Sequence, residues 1–240
     1  MKRLLIRPGA IGDVILSLPA LEAARAEYTE VWTPRPVVPL IRFADRVRAI
    51  ADTGLDLVGV VEGASTAALE GFDSIYSWYG SQRPEFRDAV RHLPLTFFPA
   101  LPPPPEGIPR IAVPPVRPAD FAVIHPFASG GHKRWPLENF RAVAERLTVP
   151  VRWCAGPEER LDNAIRFDDL YELACCLASA RLYIGNDSGI AHLAAAVDVP
   201  VIAIFLATDP RVWAPRGAHV EVLTNPRVED VLAAAFRRLR

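Results

Sequence analysis

The chain has 240 residues, half of them apolar and 23% charged, with a formal net charge of -1. That is enough apolar material for one large domain or two small ones, and the near-neutral balance argues against nucleic acid as a main partner. Cys154, Cys175 and Cys176 have no metal-ligand spacing and the adjacent pair is a poor disulfide candidate, so free thiols in a reducing, cytoplasmic setting are expected. Pro8, Gly9 and Asp13 interrupt the amino-terminal segment before any signal-peptide core forms. The longest apolar stretch, Ala191 to Ala207, is broken by His192, Asp198 and Pro200, which excludes a membrane-spanning helix there.

In chain order, Leu4 to Ile6 reads as a buried strand and Arg7 to Asp13 as the turn after it. The spacing of Val14, Leu18 and Leu21 predicts a helix over Val14 to Glu27, with Pro19 marking a kink or the true start. Glu30 to Thr33, Leu57 to Val61 and Ser74 to Trp78 are strand candidates, with helices at Val38 to Arg48 and Pro84 to His92. Between Phe98 and Asp120 the chain is dense in proline, the pattern of a semi-rigid connector. It sets domain boundaries of 1–105, a linker over 106–119, and 120–240. The second half predicts strands at Phe121 to His125, Val151 to Cys154, Arg181 to Ile184 and Val201 to Phe205. Helices fall at Leu137 to Leu147, Leu170 to Ser179, Ile190 to Ala196 and Val228 to Leu239. Strand and helix in alternation imply an α/β chain of two doubly wound, Rossmann-like halves with a cleft between them. The turns after the strands are where ligands bind in such sheets.

Three turns carry residues with chemistry. Gly9-Ala10-Ile11-Gly12-Asp13 lacks both the dinucleotide fingerprint and a phosphate-loop lysine. It delivers a carboxylate beside Gly12. Asp13 is either a cap of the next helix or a general base, and the turn alone favours the cap; as a cap it lacks a box partner, because Leu16 stands three residues on. His125 to Pro136 gathers glycines, Ser129 and the cations Lys133 and Arg134 ahead of a helix, an arrangement suited to a phosphate. Ile184-Gly185-Asn186-Asp187-Ser188-Gly189-Ile190-Ala191-His192 passes from strand straight into helix. Asp187 or Ser188 as a plain N-cap, with His192 a satisfied helix histidine, is one reading. The same turn also offers free N–H groups to an anion and a carboxylate to sugar hydroxyls, as a nucleotide sugar requires.

The blocks MKRLLIRPGAIGDVILSLPAL, IHPFASGGHKRWPLENF and LYIGNDSGIAHLAAAVDVPVIAIFLATDP, in that order, resemble glycosyltransferase family 9, the ADP-heptose:lipopolysaccharide heptosyltransferases. The resemblance implies a GT-B fold with the donor on the carboxyl-terminal half and the acceptor on the amino-terminal half. It implies inversion at the anomeric carbon with no cofactor and no bound metal. By position Asp13 matches the proposed base, Lys133 the lysine that neutralises the donor phosphates, and Ser129 a hydroxyl of the phosphate loop. Asp187 matches the acid on the donor sugar, with Ser188, Gly189 and His192 the helix start beneath the diphosphate. Glu158 or Glu159 resembles the glutamate that holds the ribose, with Glu158 the expected contact. Two departures stand out: the first half is short for the family, and Phe127 stands where a glycine is usual.

The function expected is therefore an inverting glycosyltransferase moving a sugar, as in ADP-heptose, to a saccharide or glycolipid acceptor of lipopolysaccharide-core type. A non-catalytic nucleotide-sugar-binding protein with a reduced acceptor half is the alternative; Asp13, kept together with Lys133 and Asp187, favours the enzyme. A GT-B epimerase needs further carboxylates that the sequence does not offer. In the last helix Val228, Val231, Leu232, Ala235, Phe236 and Leu239 form an apolar stripe, and Arg237, Arg238 and Arg240 close it. Packing on the protein is the expected use of the stripe. The arginines add weak peripheral contact with an anionic surface such as the inner face of the cytoplasmic membrane.

Overall fold

In the computed structural model, which describes residues 1–100, 107–117 and 119–240, Leu4, Leu5 and Ile6 form the fully buried end of β1 (Lys2–Ile6). It is followed by α1 (Ile11–Ala23), β2 (Tyr28–Thr33), β3 (Arg46–Ala49), β4 (Ser74–Ser77), α2 (Pro84–Ala89) and β5 (Leu95–Phe97). The strands form one parallel sheet in the order β3-β2-β1-β4-β5. Leu4 and Ile6 pack with Trp32, Ile75 and Phe86 in one core cluster, while Leu5, between them, is equally buried. A strand covered on both faces needs such a continuous apolar run; each of these side chains contributes about 1.5–3 kcal/mol by leaving water.

The second unit contains β6 (Ala122–His125), α3 (Leu137–Arg146), β7 (Val151–Trp153), α4 (Leu170–Ala178), β8 (Leu182–Asn186), α5 (Gly189–Ala196), β9 (Val201–Phe205), α6 (Pro210–Trp213), β10 (Val220–Thr224) and α7 (Val228–Leu239). Its parallel sheet runs β10-β9-β8-β6-β7, and a single parallel bridge from Cys154 to Ile165 lies beyond β7. Both doubly wound, Rossmann-like sheets are thus present. The chain divides at Gly107 and Ile108. The part of the proline-rich stretch over 108–117 belongs to the second unit: the Ile111 N–H donates to the Ala196 carbonyl at 2.9 Å and Tyr171 Oη to that of Ala112 at 3.1 Å. The rest of the expected linker includes Glu106 and Pro118, which lie outside the described residues, as do 101–105 of the first expected domain.

Several local expectations change. α1 starts at Ile11, three residues earlier than its apolar spacing suggests, so Pro19 lies inside it. Leu57 to Val61 forms no strand, because Gly54 and Gly59 hold positive φ (+70° and +75°) and fold the segment into successive turns. Leu55 and Val58 are buried there while Leu57, Val60 and Val61 are exposed, a spacing of three rather than two. In place of a helix over Val38 to Arg48 there is a 3₁₀ stretch, Arg35–Leu40, ended after Pro39, and then β3, whose Arg46 lies opposite Glu30 of β2.

The stripe of α7 is packed on its own unit: Val231, Leu232, Ala234, Ala235 and Leu239 join the core with Ile184, Ile202 and Ile204. Phe236, at one edge of the expected stripe, is exposed, and Ala234, beyond its other edge, is buried in the core instead. Arg237 and Arg238 both reach Glu221, at 2.5 and 3.5 Å. That pairing offsets much of the positive cluster expected to meet anionic lipid. Among the described residues no helix is long and apolar enough to cross a membrane, and Cys154, Cys175 and Cys176 are free thiols.

Candidate functional site

In each sheet the order reverses next to the strand that opens the unit, between β1 and β4 and between β6 and β8. Beyond the carboxyl ends at such a point the following turns splay apart and leave room for a ligand. Only glycine fits at one position of the second switch point: Gly185 of β8 lies opposite His125 of β6, and a Cβ there would stand 2.4 Å from Tyr183 Oη and 2.9 Å from the His125 carbonyl oxygen.

The turn after β6 is tied to the end of β8 by Asn186. Its Oδ1 accepts from the Trp135 N–H at 2.9 Å and its Nδ2 donates to the Pro126 carbonyl at 2.8 Å. Trp135 is buried against Phe140 and donates through Nε1 to the Pro226 carbonyl. Between these anchors Lys133 sits in a short 3₁₀ turn and places Nζ 2.9 Å from Asp187 Oδ2. Asp187 is only 6% exposed and Lys133 24%. A second donor, Thr208 Oγ1 in the turn after β9, reaches the same oxygen at 2.6 Å.

Ser188 is the N-cap of α5, extended in backbone and with its hydroxyl not spent on the helix. The first N–H groups of α5 are therefore open to an anion, with Lys133 tied to the neighbouring Asp187. Ser188 Oγ lies 3.5 Å from His125 Nδ1, and the other ring nitrogen, Nε2, lies 3.1 Å from Glu159 Oε2. That oxygen also accepts from the Gly156 N–H at 2.6 Å. Burial pushes the Glu159 carboxyl up, but its hydrogen bonds to His125 and Gly156 and the nearby Arg134 charge pull it below its ordinary value.

The expected residues do not all converge. Lys133, Asp187 and Ser188 come together, with Gly189 opening α5 and His192 buried one turn further on. Ser129 is exposed on the loop. Of the two glutamates, Glu158 points to solvent and Glu159 is the one turned into the site. Phe127 is half-buried, edge-on to His125 at 6.0 Å and beneath the Arg134 guanidinium at 5.7 Å. Sequence reasoning assigns no role to His125 or Thr208; the available signals are their place at or just after a strand's carboxyl end and within the family-like blocks. Among the described residues no group of His, Cys, Asp and Glu is arranged to hold a metal ion.

At the switch point of the first unit, Asp13 is the third residue of α1, with Gly12 buried beside it. Its Oδ2 accepts from the Ala10 N–H at 2.8 Å. Asp13 is thus the returning half of a capping box whose N-cap is Ala10, one turn earlier than a reading that makes Asp13 the cap itself. Ala10 has no side-chain oxygen, so only this half of the box exists. Gly9 makes the room: it holds φ +114°, and a Cβ would lie 2.7 Å from Asp13 Oδ2. Beneath the turn, Arg7 is 1% exposed and donates to Ser17 Oγ at 2.7 Å and to the carbonyls of Pro8 and Asp13. Burial pushes its guanidinium down and the Asp13 charge pulls it back up. Trp78, just beyond β4, stacks on Phe98 at 4.7 Å.

The family profile for glycosyltransferase family 9 (heptosyltransferase) matches residues 109–231, just over half of the chain and all of the second-unit site. The chain belongs to glycosyltransferase family 9. Lipopolysaccharide heptosyltransferase 3 of Escherichia coli is 50% identical over 40% of this chain and 34% of that protein. The curated relatives are matched over 26–39% of their own length, and so over only a part of each. The solved E. coli ADP-heptose lipopolysaccharide heptosyltransferase II has the same fold with a TM-score of 0.73 at 17% identity, covering 100% of this chain and 98% of that one. An E. coli heptosyltransferase solved with ADP gives 0.68 at 18%, covering 99% and 98%. The profile match is confined to the second unit, whereas the likeness of fold runs through both.

The sign of the Glu159 shift makes a stability prediction for this family 9 chain. A carboxylate held below its ordinary value stabilises the folded state above the unfolded value, near 4.5, and that contribution is lost as pH falls through the depressed value. Glu159→Gln is expected to cost roughly 1.5–3 kcal/mol at pH 7, the range for hydrogen bonds to a charged group. Thermal melts taken between pH 7 and pH 3 should show the gap to wild type closing below about pH 4.5. A gap independent of pH would mean that the carboxylate charge does not contribute.

Proposed function

We propose that the chain is an inverting glycosyltransferase that moves heptose from ADP-heptose to a saccharide acceptor of lipopolysaccharide-core type. The observation that carries this reading is the Lys133–Asp187 pair at the open amino-terminal end of α5. A cation and helix N–H groups suit a diphosphate, and the adjoining carboxylate suits sugar hydroxyls. The similarity to heptosyltransferases, one solved with ADP, supports the choice of base and sugar.

In the reaction an acceptor hydroxyl attacks the anomeric carbon from the face opposite the nucleotide. A new glycosidic C–O bond forms, and the bond from that carbon to the β-phosphate oxygen breaks. Asp13 takes the hydroxyl proton as the oxygen commits its electron pair. Negative charge grows on the departing ADP, where Lys133 and the first N–H groups of α5 stabilise it more strongly than they do the bound donor. Ser188 supplies a hydroxyl to the same anion, and Glu159, ionised and fixed by His125, faces the ribose. Acceptor binding falls to the first unit, around the α1 start that carries Asp13.

The test is donor hydrolysis across ADP-, UDP- and GDP-sugars, which needs no knowledge of the acceptor. Slow release of sugar from ADP-heptose, with the other nucleotides inert, is the expected result. Binding or turnover of a UDP- or GDP-sugar in preference would overturn the assignment of the base, and no interaction with any nucleotide sugar would overturn the function.

A further inference from the structure

Thr208 belongs to neither of the turns that form the phosphate cradle, yet its hydroxyl makes the shorter of the two contacts on Asp187. Three post-strand segments meet at Oδ2 of that carboxylate: the turn after β6 through Lys133, the end of β8 through Asp187 itself, and the turn after β9 through Thr208. The backbone of Asp187 is fixed as well, since its N–H donates to the Ile204 carbonyl of β9 at 2.9 Å. What backbone pairing leaves free is rotation of the carboxylate about its own side-chain bonds. Lys133 alone cannot stop that rotation, because its four-carbon stem swings with the group it pairs to. Threonine is stiff at χ1. Here it is also anchored at its following residue, for Asp209 caps α6 by accepting from the Arg211 N–H at 2.9 Å and Pro210 opens that helix.

We propose that Thr208 is a positioning residue: by converging with Lys133 on Oδ2 it fixes the plane of the Asp187 carboxylate and directs Oδ1 to a hydroxyl of the donor sugar, so that it sets the preference for a sugar-bearing ADP over ADP itself. The inference rests on the donor-site reading above and deepens it. ADP carries no sugar beyond the β-phosphate and draws on Lys133 and the α5 N–H groups, which Thr208 does not touch. A sugar hydroxyl draws on the orientation of Asp187. Loss of the Thr208 hydroxyl therefore separates two affinities that a general loosening of the site would lower together.

Calorimetry with ADP and with ADP-heptose on wild type, Thr208→Val, Thr208→Ala and Thr208→Ser reads that separation. Thr208→Val keeps the shape and removes the hydroxyl. It is expected to bind ADP within about twofold of wild type and ADP-heptose about tenfold more weakly, as for one lost hydrogen bond to a charged group. Thr208→Ala, which removes the hydroxyl and adds no bulk, should match it, and Thr208→Ser should recover most of the loss. Unchanged affinity for both ligands in the Val and Ala variants would overturn the role of Thr208 and leave the donor site standing. Equal weakening for both ligands, or no rescue by Ser, would show a merely structural residue and overturn it too. Wild-type protein that binds neither ligand would bring down the donor-site reading and this inference with it.

Discussion

Asp13→Asn is expected to lower the rate of sugar transfer by roughly 10²–10⁴-fold, the usual loss when a general base is removed, while leaving ADP affinity unchanged. Asparagine is the informative replacement because its side-chain oxygen can still accept from the Ala10 N–H, as Asp13 Oδ2 does at 2.8 Å. The α1 start then survives, whereas Asp13→Ala would lose that contact and about 1 kcal/mol with it. ADP affinity is the internal control: Lys133, Asp187 and Ser188 all belong to the second unit and Asp13 to the first. A modest fall in melting temperature is also expected, since Asp13 supplies the negative charge that offsets the burial of Arg7. Transfer by Asp13→Asn at the wild-type rate would leave Asp13 as a helix-start residue and nothing more.

That the proposed base is also the carboxylate that accepts from the Ala10 N–H explains why the sequence alone favours the cap. A residue three positions into a helix, reaching back to the N-cap N–H, looks the same whether or not its second oxygen does chemistry. Gly9 holds the clue that sequence does not announce: a positive φ and a Cβ position 2.7 Å from the carboxylate are properties of the folded turn. The strands that precede the chemical turns are legible. Leu4 to Ile6 of β1, Ala122 to Ile124 of β6, Leu182 to Ile184 of β8 and all of β9 are buried and so read as unbroken apolar or aromatic runs.

Of the edge strands, β7 is legible, but β3 and β10 are not, for a physical reason. Arg46-Val47-Arg48-Ala49 and Val220-Glu221-Val222-Leu223-Thr224 are only half-covered, and what makes each a strand is the neighbour it pairs with, β2 or β9. In the site, Lys133, Asp187 and Ser188 are visible because each stands in a turn whose chemistry is local. His125 and Thr208 become functional candidates only through partners far along the chain, Glu159 at 34 residues from His125 and Asp187 at 21 from Thr208. The choice between Glu158 and Glu159 likewise depends on how the turn at Gly156 closes: the Gly156 N–H meets Glu159 and leaves Glu158 in solvent.

Lys133→Met is expected to weaken ADP binding by roughly 10- to 100-fold, the equivalent of about 1.5–3 kcal/mol for a charge-assisted contact, with adenosine binding nearly unchanged. The replacement has a second effect that must be separated from the first. Lys133 Nζ is the cation on Asp187, and removing it leaves a 6% exposed carboxylate with the Thr208 hydroxyl but without that positive charge. Breaking such a pair from one side destabilises a protein by more than the pair contributes, because the remaining charge is held out of water uncompensated. Lys133→Met should therefore lower the melting temperature as well as ADP affinity. The double variant Lys133→Met/Asp187→Asn removes the stranded charge, so its melting temperature should recover while its ADP affinity should not. Calorimetry and thermal melts on the two variants read both quantities. If ADP affinity recovered along with stability, Lys133 would be acting on the fold of the loop rather than on the diphosphate, and equal losses for ADP and adenosine would lead to the same conclusion.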